Sequence, residues 1–204
     1  MKKLKLFFSV LMLLFVSVGQ VGATDVVDEL KASMFTATNT TYKDFSSVSA
    51  TSDAFYAGNS GKTSSGGIQM RSKNSNSGIV STTSGGTVKS VKITVESGSN
   101  TIDIYGSNTA YTAASDLYDS SKQGTKVGSV SATGTVTFTD EYAYVGIRSK
   151  SGAIYVTSVE ITWTTGGSSE TTVFLTPLWE SLGVILDYRI QNHGIYTCSI
   201  YRCG

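Results

Sequence analysis

In several stretches between Thr24 and Thr165, apolar side chains occupy every second position and polar ones fill the gaps. Val91, Ile93 and Val95 alternate with Ser90, Lys92 and Thr94, and Val159, Ile161 and Trp163 alternate with Ser158, Glu160 and Thr162. Successive strand side chains point to opposite faces, so this spacing builds sheets with one apolar and one wetted face. The same 24–165 stretch contains no His, Cys or Pro. A chain with these traits reads as an all-β scaffold.

Strands are expected at 68–72, 78–82, 88–96, 101–106, 126–130, 134–139, 142–149 and 154–163, separated by Ser, Gly and Asn turn clusters. Asp140 and Glu141 suit a charged hairpin turn between the sixth and seventh of these. Short strands with turns about every 8 to 12 residues favour a two-sheet antiparallel β-sandwich, jelly-roll-like, with an immunoglobulin-like sandwich as the alternative. A short N-terminal helix or helical turn is expected from the spacing of Val26, Val27, Leu30, Met34 and Phe35. From Thr36 to Gly67 the chain is dominated by Ser, Thr, Gly and Asn, and Tyr42, Phe45, Phe55 and Tyr56 are expected to plug the edge of the core. Residues 108–123 read as a long loop carrying Tyr111, Leu117 and Tyr118.

Both ends differ from this middle. Lys2, Lys3 and Lys5 precede a largely apolar run from Leu6 to Val18, and Val21 and Ala23 stand where a signal peptidase takes small residues. Residues 1–23 are therefore expected to be a secretory signal peptide, and the mature chain is expected to be secreted or extracytoplasmic with no membrane span. Residues 24–165 form the expected domain, 166–171 a linker and 172–204 an atypical C-terminal tail. The tail holds the single Pro, the single His and both Cys of the chain. Its abrupt change of composition favours a shifted reading frame over a docking tail or a core-covering extension. Cys198 and Cys203 could pair with each other in an oxidising compartment, too close in sequence to staple the domain.

Charge and residue types bear on function. Sixteen Lys and Arg against fifteen Asp and Glu give a net charge of +1, and loss of Lys2, Lys3 and Lys5 takes it to −2. A nearly neutral chain has no field to gather phosphates, which argues against nucleic acid as a partner. His193 is the one imidazole available as a catalytic base, and it lies in the tail. His193, Cys198 and Cys203 match no closed zinc module, so no metal and no cofactor is expected. The string from Gly58 to Thr63 has two residues between its glycines where a phosphate-binding loop has four, and reads as a polar hairpin. No pair of carboxylates has a spacing that singles it out for glycoside hydrolysis. Asp116 and Asp119 could contribute oxygens to a calcium ion, although no Asp-x-Asp pattern accompanies them.

Aromatic residues carry the stronger signal, because sugar rings have apolar faces that stack on tyrosine. Tyr105, Tyr142 and Tyr144 fall opposite their Ile and Val neighbours, and Tyr111 and Tyr118 sit in the long loop. Arg71 and Arg148 could add paired hydrogen bonds. The expected ligand-binding set is Tyr105, Tyr111, Tyr118, Tyr144, Arg71 and Arg148. The competing reading is that the tyrosines cover the second sheet or pin the loop.

The strings GGIQMRSKNSNSGIVSTTSGG at 66–86, IDIYGSNTAYTAASDLYDSSKQGTKVGSV at 102–130 and YAYVGIRSKSGAIYVTSVEITW at 142–163 resemble β-sandwich accessory modules of proteins secreted by gut anaerobic bacteria. Such modules occur alone or beside extracellular nucleases, proteases and glycan-active enzymes, and bring no catalytic motif of their own. The resemblance covers about residues 25–164. It supplies no activity; taken with the aromatic residues, the expected function is a secreted, non-enzymatic module whose partner is a glycan or cell-surface component, with a purely structural accessory module as the alternative and an enzyme as a distant third.

Overall fold

The computed structural model describes residues 22–35, 41–71, 75–166, 184–191 and 194–202. The expected signal peptide lies almost wholly outside the described residues, as do His193, Cys203 and residues 167–183. Two compact units are distinguished. One is Ala23–Gly166, and the other comprises the remaining N- and C-terminal residues. In the second unit, β12 (Val184–Gln191) and β13 (Gly194–Arg202) form an antiparallel hairpin.

The unit Ala23–Gly166 is all-β and antiparallel. Its strands are β1 (Thr24–Leu30), β2 (Lys43–Ser49), β3 (Phe55–Lys62), β4 (Ile68–Met70), β5 (Gly78–Ser81), β6 (Thr87–Ser97), β7 (Ile102–Ser107), β8 (Thr125–Val130), β9 (Gly134–Thr137), β10 (Tyr144–Ser149) and β11 (Ile154–Thr165). All eight expected strands are found. The hydrogen-bonded path runs β8-β7-β10-β5-β3-β4-β11-β6-β9, with β1 added to β11 and β2 to β3. Its two ends, β8 and β9, are consecutive in the chain and lie side by side. A Cβ built on Gly128 would fall 2.7 Å from Val136 Cγ1. The path thus curls back on itself and nearly closes.

One apolar cluster fills the interior. It takes Phe45, Tyr56, Ile79, Ile102, Ile104 and Ile147 from one half of the path, and Ile68, Met70, Val91, Ile93, Val159, Ile161 and Trp163 from the other. Burial of these side chains is the principal stabilising contribution. The alternation in β6 and β11 is realised: Val91, Ile93, Val159, Ile161 and Trp163 are buried while Lys92 is exposed. Phe45 and Tyr56 join the core, whereas Phe55 is 43% exposed.

Four expectations change. Residues Thr24–Leu30 are a strand, in register with β11 from Thr24 opposite Thr165 to Leu30 opposite Val159. Helical structure there is limited to one 3₁₀ turn, Ala32–Met34, because pairing with β11 outweighs a weak local spacing. Asp140 and Glu141 lie in a crossover rather than a hairpin, since β9 pairs with β6 while β10 pairs with β5 and β7. Tyr142, just before β10 begins, escapes strand parity: it packs on the main core, edge-on to Phe138 with ring centroids 6.0 Å apart. Strands β2 and β3 add to the sheet in a Ser- and Gly-rich segment where no alternation marks them.

A buried polar knot joins β1 to the core. Asp28, 0% exposed, accepts hydrogen bonds from the Thr51 and Ser52 amides at 2.8 and 2.7 Å. Its other oxygen accepts from the Ser52 and Tyr56 hydroxyls, each at 2.5 Å, and from Trp163 Nε1 at 3.0 Å. Burial pushes the Asp28 carboxyl up, but these donors outweigh it and hold the group below the ordinary aspartate value. Burial, reinforced by the neighbouring Asp28 charge, drives the Tyr56 phenol far above its usual range. A buried carboxylate tolerates such a place only when its oxygens are satisfied.

Candidate functional site

The expected ligand-binding residues divide between two places. On β7 and β10, Tyr105, Tyr144 and Arg148 alternate with buried Ile104, Val145 and Ile147, so they project away from the main core. Segment 108–123 folds over this outer face through the 3₁₀ turn Ala114–Tyr118. Tyr105, Tyr111 and Leu117 bury with Ala57 and Val80 into a second small core, with Tyr118 and Tyr144 packed at its margin. Tyr105 and Tyr111 are 4% and 2% exposed. The Tyr111 hydroxyl donates to the Gln123 carbonyl at 2.8 Å, and that of Tyr118 to the Ser77 carbonyl at 2.7 Å. Burial raises the pKa of both phenols.

Arg148 donates to the Tyr105 hydroxyl at 3.0 Å, and its guanidinium carbon lies 4.7 Å from the Tyr118 ring centroid. Such stacking on aromatic faces fixes a guanidinium geometrically. Five of the six expected residues are therefore brought together, with two of the tyrosines sealed beneath the loop.

Asp116 works within that loop. Its Oδ2 accepts from the Thr112 amide at 2.7 Å and the Thr112 hydroxyl at 2.8 Å. Burial acts to raise its carboxyl, but the hydrogen bonds from Thr112 and Ala113 and the charge of Lys122 bring it below the ordinary value. Asp119 accepts from the Ser121 amide and hydroxyl at 2.9 and 2.7 Å. Among the described residues, no group of three or more His, Cys, Asp or Glu could hold a metal ion.

Arg71, the sixth residue, lies elsewhere. Its guanidinium carbon is 3.5 Å from the Tyr42 ring centroid. Two residues before it, Gln69 belongs to a cleft of about 280 Å³ lined also by Thr63, Ser64, Ser65, Glu96, Ser97 and Tyr155. Register builds it: Tyr155 of β11 stands opposite Gln69 of β4 on one side and Ser97 of β6 on the other. Gln69 Nε2 donates to the Tyr155 hydroxyl at 3.4 Å.

The wall of the cleft is the β3–β4 turn. The Thr63 amide donates to the Gly67 carbonyl at 2.9 Å, and Gly66 adopts φ +92°, a left-handed conformation that favours glycine. The string from Gly58 to Thr63 is thus a strand running into a polar hairpin. Glu96 lies against Gly67, where a Cβ would collide with its carboxylate. The carboxylate accepts from the Thr63 hydroxyl at 3.2 Å and from that of Ser65. Glu96 is the sole acid among the lining residues.

Gln69, Glu96 and Tyr155 were not singled out by sequence. The available signal was that Gln69 alternates with Ile68 and Met70, and Tyr155 with Ile154 and Val156, which marks the wetted face but not who stands beside whom. No family model matches the chain, and no curated protein is similar to it.

Proposed function

We propose that this chain is a secreted, non-catalytic module of the jelly-roll sandwich kind that binds an extracellular glycan or related cell-surface component. One core fed by both halves of a nearly closed sheet path supports the sandwich. The observation that carries the binding reading is the cleft at Tyr155, where one half-buried aromatic ring is ringed by an amide, a carboxylate and several hydroxyls. Those groups match the alternating donors and acceptors of a sugar, and the ring matches its apolar face. A single lining carboxylate suits holding a sugar rather than cleaving it, which calls for two.

The direct test is a polysaccharide array probed with the mature chain, alongside Tyr155→Ala and Gln69→Ala. Binding that falls at least about tenfold in Tyr155→Ala is expected, the loss of one stacking and hydrogen-bonding side chain. Absence of any glycan ligand, or one bound by both variants as tightly as by wild type, removes the proposal. The second reading, a structural spacer, is favoured by the sealing of Tyr105 and Tyr111 into packing. It gains ground if the array is blank.

A further inference from the structure

We propose that the Tyr155 cleft selects a saccharide that carries carboxylates, a uronic acid chain, and that Arg71 receives the carboxylate. This rests on the glycan reading above and narrows it to a substrate class. Arg71 follows β4 directly, two residues after Gln69, so on a strand repeat it stands on the same face about 7 Å further along. A Cβ on Gly61 would lie 3.2 Å from Gln69 Oε1 and 3.5 Å from Tyr42 Cε2, so Gln69 and the Tyr42 ring on which Arg71 stacks flank the same glycine.

Among the described residues, Lys31, Lys89, Lys92, Lys122 and Lys126 each meet an acid, while Arg71 forms no ion pair, as is also true of Lys43, Lys62, Arg148 and Lys150; what sets Arg71 apart is its place beside the cleft residue Gln69. Among the described residues its Nε is buried without a hydrogen-bond acceptor, and so is the Tyr42 hydroxyl. The enclosed Nε does not face solvent, so an arriving anion is received by the two terminal amino groups of the guanidinium. Stacking of the guanidinium plane on Tyr42 leaves its N–H edge as the recognition surface, and that edge forks onto a carboxylate.

Within the cleft the Glu96 charge repels a second carboxylate, while Glu96 and the hydroxyls of Thr63, Ser64 and Ser65 accept from and donate to neutral sugar hydroxyls. The site is thus cationic at Arg71, aromatic at Tyr155 and hydroxyl-rich at Glu96. One charge per ring, with hydroxyls between, fits that sequence of groups better than an acidic peptide does.

Calorimetric titration of the mature chain with oligogalacturonate and oligoglucuronate, and with the same oligomers after carboxyl reduction, tests this. Wild type is expected to bind an acidic oligomer at least about tenfold more tightly than its reduced form, the scale of one charge-assisted bidentate pair. Arg71→Gln and added salt should erase that preference, Arg71→Lys should keep only part of it, and Tyr155→Ala should weaken both forms. Unfolding midpoints equal to wild type establish that the variants are folded.

Equal binding of acidic and reduced oligomers, unmoved by Arg71→Gln, overturns acid selection and leaves the glycan cleft standing. Binding of polyglutamate with neither sugar overturns the saccharide assignment as well. Binding of no uronate oligomer overturns the inference alone if the array finds a neutral glycan, and both readings if it does not.

Discussion

At the scale of single residues, the buried polar atoms divide into satisfied and orphaned ones, and they respond oppositely to substitution. Asp28 accepts five hydrogen bonds with no exposure to water. Asp28→Asn keeps the shape but turns an acceptor into a donor facing other donors, and should cost about 2 to 4 kcal/mol in urea unfolding. The pH dependence follows from the depressed carboxyl. Its stabilisation is fully present above the unfolded aspartate pKa of about 3.9 and is lost as pH falls through the lower folded value. Wild type should therefore lose stability below about pH 4, and Asp28→Asn should show a shallower acid limb. A parallel acid limb in the two proteins would remove Asp28 as its source. Ser60 is the contrary case, since its hydroxyl is buried among the described residues without a partner. Ser60→Ala is expected to stabilise by up to about 1 kcal/mol, read as a raised thermal midpoint.

At the scale of elements, segment 108–123 behaves as a lid glued to the outer sheet face by Leu117 and Tyr111. Gly146 of β10 permits this approach, for a Cβ there would collide with Leu117 and come within 3.2 Å of the Tyr111 hydroxyl. Leu117→Ala should lower stability by about 2 to 4 kcal/mol if the lid unfolds with the core. Hydrogen exchange separates the cases. Faster exchange confined to the Asp116, Asp119 and Lys122 amides, with β10 unchanged, would identify the lid as an independent opening unit. The eight strands found where alternation predicts them show how much of this scale is local. The strand β1 shows the limit: Val26, Val27 and Leu30 carry a helix-like spacing, yet a seven-residue ladder with β11 overrides it.

At the scale of the whole molecule, β1 and β11 bring the two ends of the Ala23–Gly166 unit together. Thr165 Oγ1 donates to the Thr24 carbonyl at 2.9 Å. A circular permutant joining residue 166 to 24 through a short Gly-Ser linker, and opened at the exposed turn of Ser131, Ala132 and Thr133, should fold to the same circular dichroism spectrum. Failure to fold would mean that β8 and β9 must be covalently consecutive to meet. An antiparallel all-β unit, most of its strands and the side of each that faces inward are legible in the order of residues, because alternation is a property of a few neighbouring positions. So is the tyrosine-bearing face. Tertiary structure alone decided that Tyr105 and Tyr111 are sealed beneath a loop, that Asp140 and Glu141 span a crossover, and that Gln69, Tyr155 and Ser97 stand in one row. Which strand lies beside which, and what folds over them, depends on contacts between residues far apart in the chain, and no local pattern encodes those.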